Sequence, residues 1–160
     1  MNLEQQIQKL IDDAPTDGDM PLVIKQAIAP VLNLFASRLK HLDYYILQNF
    51  SHSWVITTLR AKSSDSIAEE KKVIYAFATA KDATTFQGNS TPEMVAWPIP
   101  VTHILFQLFA LHQVDSIIFL ETPGNLSRGT EVRRSDLQQL IQTQLQEFKT
   151  NSRNVPPDIA

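Results

Sequence analysis

The stretch that decides the fold runs from Ser116 to Gln142 and reads SIIFLETPGNLSRGTEVRRSDLQQLIQ. It opens with an uninterrupted apolar run, which predicts a buried central strand. Thr122-Pro-Gly-Asn125 predicts a type II turn, because Pro suits its second position and Gly tolerates the positive φ of the third. Residues 129–134 predict a short strand that pairs back, and Ser135 is expected to cap a final helix. The stretch therefore predicts strand, turn, strand and helix in that order.

Upstream of this stretch, the period of the apolar residues changes from helical to alternating and then back to helical. The expected helices are one at 3–11, a second from Pro21 with a kink or a restart at Pro30, and an apolar helix at 100–112. The expected strands lie at 44–49, 54–60 and 72–80, and a polar connection is expected at 82–96. Because only residues 50–53 separate the first two strands, we expect these strands to form an antiparallel hairpin.

Together these elements predict one α+β domain over residues 1–149, in the order α-(α)-β-β-β-α-β-β-α. We expect an antiparallel sheet of about five strands with helices packed against it. Residues 1–20 are expected to form an N-terminal helix and a turn segment. Residues 150–160 contain Pro156-Pro157 and no periodicity, which predicts a flexible tail.

The composition excludes several classes of chemistry. Of the 160 residues, 43% are hydrophobic and 19% are charged, and the formal net charge is −3. Without Cys the chain has no disulfides, thiolate metal sites or thiol catalysis. The acidic balance argues against a nucleic-acid partner. The N-terminus has no signal-peptide pattern and no apolar run approaches ~18 residues, so we expect a cytoplasmic protein with no membrane partner.

The segment Ile117–Gln142 resembles small, uncharacterised cyanobacterial proteins assigned to the type III secretion chaperone fold. Its most specific motifs are Glu121-Thr-Pro-Gly-Asn125 and Glu131-Val-Arg-Arg134. At the level of element order, the resemblance covers about residues 20–149. It implies a homodimer that binds other polypeptides through exposed apolar patches on its sheet and helices, and it implies no catalytic residues.

The helix at 100–112 is the candidate dimer element. Apolar residues cover most of its circumference, which is typical of a helix buried in a core or in a subunit interface. We therefore expect Ile104, Leu105, Leu108 and Phe109 to form an isologous dimer interface. The alternative is that this helix is the central core helix of a monomer.

Three aromatic residues are candidates for contact with a protein partner: Trp54, Phe86 and Trp97. Aromatic side chains on a rigid sheet beside a mobile loop are good anchors for binding. For both Trp residues the alternative is a place in the core.

Polar residues around the last hairpin are candidates for contact with a ligand or partner, namely Glu121, Asn125, Glu131, Arg133 and Arg134. If the strand from Ser116 pairs with the strand at 129–134, the carboxylates of Glu121 and Glu131 would both approach the arginines. They would then do acid–base work or hold a divalent ion. The alternative is that Glu121 and the arginines form ion pairs at the rim of a hairpin, and surface pairs of this kind are common and weak. The second candidate function is therefore a regulator that binds a small molecule or divalent ion through Glu121 and Arg133.

The order α-β-β-β-α-β also resembles the core of restriction-endonuclease-like nucleases, which gather an Asp of the second strand and a Glu-x-Lys of the third around Mg²⁺. The third strand here, Val73–Thr79, contains no acid and no Lys. An active or degenerate nuclease is therefore a remote alternative, and we expect no catalytic residue, cofactor or metal. The leading prediction is a non-enzymatic protein-binding or chaperone-like module that acts as a homodimer.

Overall fold

The computed structural model describes residues 1–16, 18–61, 69–87 and 94–153. Its helices are α1 (Leu3–Asp13), α2 (Met20–Val23), a π-helical turn (Ile24–Ile28), α3 (Ala29–Ser37), α4 (Ala80–Gln87), α5 (Val101–Ala110) and α6 (Arg134–Arg153). Its strands are β1 (Asp43–Gln48), β2 (Thr57–Ala61), β3 (Glu69–Phe77), β4 (Val95–Pro100), β5 (Ser116–Leu120) and β6 (Thr130–Arg133). The α+β class is confirmed.

Within the described residues, the strands form one mixed sheet in the order β4-β1-β3-β5-β6, with β2 also paired to β3. β1 is antiparallel to β3 and β4, and β5 is antiparallel to β6. β3 and β5 run parallel, with Val73 opposite Ser116 and Phe77 opposite Leu120. The prediction of an antiparallel sheet is therefore wrong at its centre. A parallel pair needs a long crossover connection, and the segment containing α4, β4 and α5 makes it here.

β1 and β2 do not form the predicted hairpin. Both are antiparallel to β3, while β5 occupies the opposite edge of β3, so β1 and β2 follow one another in the same direction. Between them the chain turns outward and back. Asn49 Oδ1 accepts hydrogen bonds from the main-chain nitrogens of Ser51 and Ser53, and an isolated antiparallel bridge joins Gln48 to Trp54. Side-chain alternation assigns the two faces of a strand but not its direction, so it predicted the strands and missed their arrangement.

The kink expected at Pro30 takes the form of the π-helical turn just before it. The main-chain N–H of Ala29 donates to the carbonyl of Ile24, five residues back. Pro30 has no N–H to donate, and a π-bulge is one way for a helix to accommodate such an interruption.

One helical stretch of the described residues, Met20–Ser37, would be able to cross a membrane by its length and its mean hydropathy of 1.3. This is weak evidence for a membrane span, because the core helix of a soluble protein passes the same test. The buried residues of this stretch pack in the protein core and include Ile24, Ala27, Ile28, Val31 and Leu32.

The N-terminal helix α1 is tied to the domain by one fully buried amide. Gln6 Nε2 donates to the carbonyls of Met1 at 3.1 Å and Leu42 at 2.9 Å. Gln6 Oε1 accepts from Thr102, from the main-chain N–H at 3.1 Å and from the hydroxyl at 2.9 Å. The N–H of Thr102 lies in the first turn of α5, where a helix offers it no partner. Gln6 therefore completes the start of α5.

The predicted connection at 82–96, the start of the final helix and the predicted tail each differ from expectation. The connection at 82–96 includes most of α4 and the start of β4, and residues 88–93 lie outside the described residues. The final helix begins at Arg134 rather than after Ser135, and Arg134 Nη1 donates to Gln138 Oε1 at 3.0 Å. Of the predicted tail, residues 150–153 continue α6, and residues 154–160 lie outside the described residues.

The two faces of the sheet are covered differently. One face packs with α1, the α2–α3 helix, α5 and α6 around a core that contains Tyr44, Ile46, Ile74, Ile117 and Phe119. The opposite face, called the α4 face below, carries Tyr45, Leu47, Tyr75, Phe77, Ile118 and Leu120, and Ala83 of α4 packs against it. Neighbouring residues of a strand point to opposite faces, which explains this division.

Candidate functional site

Glu121 follows the carboxyl end of β5 and is held by donors from distant parts of the chain. Its Oε1 accepts from the main-chain nitrogen of Lys40 at 2.8 Å and from the hydroxyl of Tyr44 at 3.1 Å. Its Oε2 accepts from Thr130 Oγ1 at 3.1 Å, and its main-chain carbonyl accepts from His41 Nε2 at 2.6 Å. Glu121 therefore joins the end of β5 to the turn before β1 and to β6.

Tyr44 is a buried donor in this network. Burial raises the pKa of its hydroxyl far above the ordinary value, and the negative charge of Glu121 raises it further, although the main-chain N–H of His41 acts in the opposite direction. The hydroxyl therefore keeps its proton at neutral pH, donates it to Glu121 and accepts the His41 N–H at 3.2 Å. Since a carbonyl only accepts, His41 Nε2 carries a hydrogen.

A polar cleft of about 280 Å³, called the Glu121 cleft below, opens beside this network. Its lining residues are Lys40, Glu121, Thr122, Asn125, Arg128, Gly129 and Thr130. Both carboxylate oxygens of Glu121 are already occupied by donors. In the part of the chain that the structure describes, neither Lys40 nor Arg128 has a salt-bridge partner. The cleft therefore presents two available cations to a ligand.

The turn that forms one wall of the Glu121 cleft has the predicted geometry. Gly124 has a φ of 81°, and the N–H of Asn125 donates to the carbonyl of Thr122 at 3.0 Å. The carboxylate of Asp82, which is buried on α4, accepts the Gly124 N–H at 3.1 Å on each oxygen. The turn is thus held by α4, and Asn125 is part-buried in the wall of the cleft.

Glu131 belongs to a separate group at the other end of β5. It forms an ion pair with Lys71, accepts from Ser116 Oγ at 2.7 Å and lies 3.6 Å from Arg133 Nε. The hydrogen bonds from Lys71 and then Ser116 hold the pKa of the Glu131 carboxyl below its ordinary value. Lys71 and Arg133 therefore form ion pairs with Glu131, whereas the predicted alternative placed the arginines against Glu121, which has no salt-bridge partner in the described part of the chain.

Arg134 lies in a third group, at the start of α6. Its Nη2 donates to the carbonyl of Phe109 at 2.9 Å and to His112 Nδ1 at 2.8 Å. Its buried Nε has no partner among the described residues. A cleft of about 420 Å³ lies beside it, lined by Glu69, Glu70, Lys71, His112, Val114, Asp115, Arg133, Arg134, Ser135 and Gln138. Its acidic and basic side chains balance, so the lining favours neither charge.

The structure does not bring Glu121 and Glu131 together. The register of β5 and β6 places Glu131 opposite Ile118, three residues before Glu121. The two carboxylates share no hydrogen-bond partner. Among the described residues, no group of three His, Asp or Glu side chains is placed to hold a metal ion.

The third strand is longer at its amino end than predicted, and it contains Glu69, Glu70, Lys71 and Lys72. The statement that this strand has no acid or Lys is therefore wrong. Its charged end lies beside β2 and is largely exposed, so it shows no apolar alternation. Glu70 pairs with Arg60 at 3.3 Å, and β2 contains no acid, so the second-strand carboxylate of the nuclease arrangement is missing.

The α4 face carries an aromatic cluster that the sequence did not reveal. The ring of Phe86 lies 4.7 Å from the ring of Tyr75 and 5.2 Å from the ring of Phe77, between centroids. Phe77 is buried, Tyr75 is half-buried, and Phe86 is 40% exposed. Half-buried Ile118 and Leu126 belong to the same cluster. Tyr75, Phe86, Ile118 and Leu126 are called the α4-face patch below.

Of the three predicted aromatic contacts, Phe86 alone lies on this patch. Trp54 is half-buried and packs against the main core. Trp97 lies opposite Ile46, on the face that carries the main core, and is 49% exposed at the β4 edge.

The candidate dimer helix α5 is buried in the core of a single chain. Ile104, Leu105 and Leu108 are fully buried, and Phe109 is part-buried against the same core. A second copy of the folded chain therefore has no access to the first three side chains. Their burial favours the alternative of a central core helix, and the homodimer itself stays a prediction.

The chain matches no protein-family model, no curated protein and no solved structure. The resemblance to secretion chaperones therefore stays a prediction.

Proposed function

We propose that this chain is a non-enzymatic protein-binding module whose docking surface is the α4-face patch. The observation that carries the proposal is the uneven covering of the sheet. Four helical segments pack on one face, and in the described residues α4 is the helix that packs on the other. Part of an apolar face is therefore left accessible.

The chemistry of the patch favours a polypeptide with apolar side chains as its partner. Tyr75 lies on the central strand β3, opposite Ile118 of β5, and between the residues of β3 that pair with β1 and those that pair with β2. Rigid aromatic side chains lose little conformational entropy on binding and are enriched at the centres of interfaces. Lys71, Glu131 and Arg133 lie at one end of the same face, where they supply the polar rim typical of such interfaces.

Phe86→Glu tests this surface. Because Phe86 is 40% exposed, a charge is expected to be tolerated by the fold but not by an apolar partner. Leu34→Glu is the matched control, since Leu34 lies on α3 and is 42% exposed. Immobilised wild-type protein and each variant are compared for the proteins they retain from an extract of the source organism.

The proposal predicts a protein that is retained by the wild type and by Leu34→Glu but not by Phe86→Glu. Equal retention by both variants would contradict it, and so would a wild type that retains nothing. Circular dichroism and thermal melting of each variant establish that the comparison is made between folded proteins.

A small-molecule regulator is the second candidate function, and the Glu121 cleft favours it. Lys40 and Arg128 suit a small anion such as phosphate or a carboxylate. A divalent ion has less support, because donors already occupy both oxygens of Glu121. Inorganic phosphate should raise the melting temperature of the wild type and of Arg38→Gln, but not that of Arg128→Gln. Equal responses of the two variants, or no response of the wild type, would contradict it.

A further inference from the structure

The outer edges of the sheet are not equally protected against pairing with another strand. β4 contains Pro98 and Pro100, which have no N–H to donate to a neighbour. β6 is only four residues long and carries charged side chains. β2 has no Pro, and no described strand lies on its outer side, because β4 pairs with β1 only as far as Gln48.

The sequence of β2 suits strand pairing. Its β-branched residues, Thr57 and Thr58, favour extended backbone. Leu59 is 37% exposed and lies opposite Lys71 in the register with β3. The single charge, Arg60, is paired within the chain with Glu70. Exposed edges of natural sheets are usually blocked by Pro, Lys or inward charges, and none of these lies on the outer edge of β2 in the described residues, so this edge suits pairing with another strand.

We propose that β2 pairs antiparallel with β2 of a second copy of the chain, about a two-fold axis at Leu59. In this register Leu59 lies opposite Leu59 of the other copy, and Thr58 lies opposite Arg60. An axis at Arg60 would place two guanidinium groups opposite each other, which is unfavourable. The axis at Leu59 covers the exposed Leu side chains with each other and opposes no like charges.

A second copy fits this edge because one short segment supplies both sides of an isologous contact. The edge is five residues long, so the interface lies at the small end of the size range. Dimerisation is therefore expected to depend on protein concentration.

The pairing has a consequence for the proposed docking surface. Leu59 pairs with Lys71, whose side chain shares a face with Tyr75, so Leu59 lies on the α4 face. Directly opposed residues of antiparallel strands point to the same face, so the two copies present their patches on one side of a continuous sheet. A partner with two apolar segments would then bind both patches, with a gain from effective concentration. This consequence depends on the proposed function, whereas the dimer does not.

Charge exchange at Leu59 tests the dimer. Leu59→Glu and Leu59→Lys each place like charges opposite one another on the two-fold axis, so each alone should weaken dimerisation by about tenfold or more. An equimolar mixture of the two variants should restore it, because Glu then faces Lys. Thr58→Glu should tighten the dimer severalfold, because it lies opposite Arg60. Leu34→Glu is the control and should match the wild type.

Sedimentation equilibrium over a wide concentration range measures these effects. A wild type that stays monomeric, single Leu59 variants that dimerise like the wild type, or a mixture no tighter than its components would each overturn the proposal. Melting curves check that the variants are folded. The same Leu59→Glu variant is tested for binding of the partner that the wild type captures. If it is monomeric but still retains that partner, loss of the dimer can be told apart from a failure of the docking surface.

Discussion

Replacing Glu121 by Ala tests whether this carboxylate is a structural anchor or a free ligand-binding group. The change removes the acceptor for three donors and leaves the hydroxyl of Tyr44 buried without it. The donors on Lys40 and Thr130 are exposed and regain water, so most of the loss comes from Tyr44. A buried donor without a partner costs about 1–3 kcal/mol, and hydrogen bonds to charged groups contribute about 1.5–3 kcal/mol.

The free energy of unfolding should therefore fall by about 3 kcal/mol in Glu121→Ala, a large part of the ~5–15 kcal/mol typical of a domain. Urea unfolding followed by circular dichroism measures the change. Glu147→Ala is the control, because Glu147 is exposed on α6 and its loss should change stability by less than about 0.5 kcal/mol. A double-mutant cycle with Tyr44→Phe should give a coupling energy of about 1–2 kcal/mol. A stability loss in Glu121→Ala no larger than the control, or a gain, would refute the structural role.

Burial and charge also determine the expected effect of substitutions at Gln6, Leu108 and Glu131. Gln6→Ala should lower the free energy of unfolding by about 2–4 kcal/mol, because the N–H of Thr102 loses its acceptor. Gln8→Ala, at an exposed position of the same helix, should change it little. Equal effects of the two substitutions in chemical unfolding would contradict this. Leu108→Ala should lower the free energy of unfolding by about 2–5 kcal/mol, because it leaves a cavity in the core. Leu108→Glu should fail to yield folded protein. A soluble, folded Leu108→Glu variant would show that α5 is not a core helix. The lowered pKa of Glu131 means that its stabilising effect is fully present above the ordinary carboxyl pKa and is lost as pH falls through the folded value. Glu131→Gln should therefore show a flatter loss of stability on acidification, and an acid limb identical to that of the wild type would contradict this.

The sequence predicted well those elements whose apolar pattern, turn residues or cap residues lie close together in the chain. The run from Ser116, the Pro-Gly turn and the start of α6 each depend on residues a few positions apart, and the structure has them within one or two residues. Local signals also placed an interruption at Pro30, although they did not reveal its π-helical form.

The features that sequence reasoning missed depend on contacts between distant segments. Two of the three donors to the Glu121 carboxylate come from Lys40 and Tyr44, about 80 positions away, and no spacing rule connects them. The direction of β2 depends on the outward turn at Asn49, and the placement of α5 depends on which helices cover the sheet. The exposure of Phe86 likewise depends on how much of the sheet α4 covers. Composition and periodicity do not predict that area.

If the α4-face patch is the surface on which a protein partner docks, the bound partner must lie within reach of residue 86. Site-specific photo-crosslinking tests it most directly, with a photoreactive phenylalanine analogue at position 86 and, in a parallel sample, at position 34. Both positions are similarly exposed but lie on different faces of the molecule. We expect a discrete crosslinked partner from position 86 and none from position 34. No adduct at position 86, or the same adducts from both positions, would contradict it.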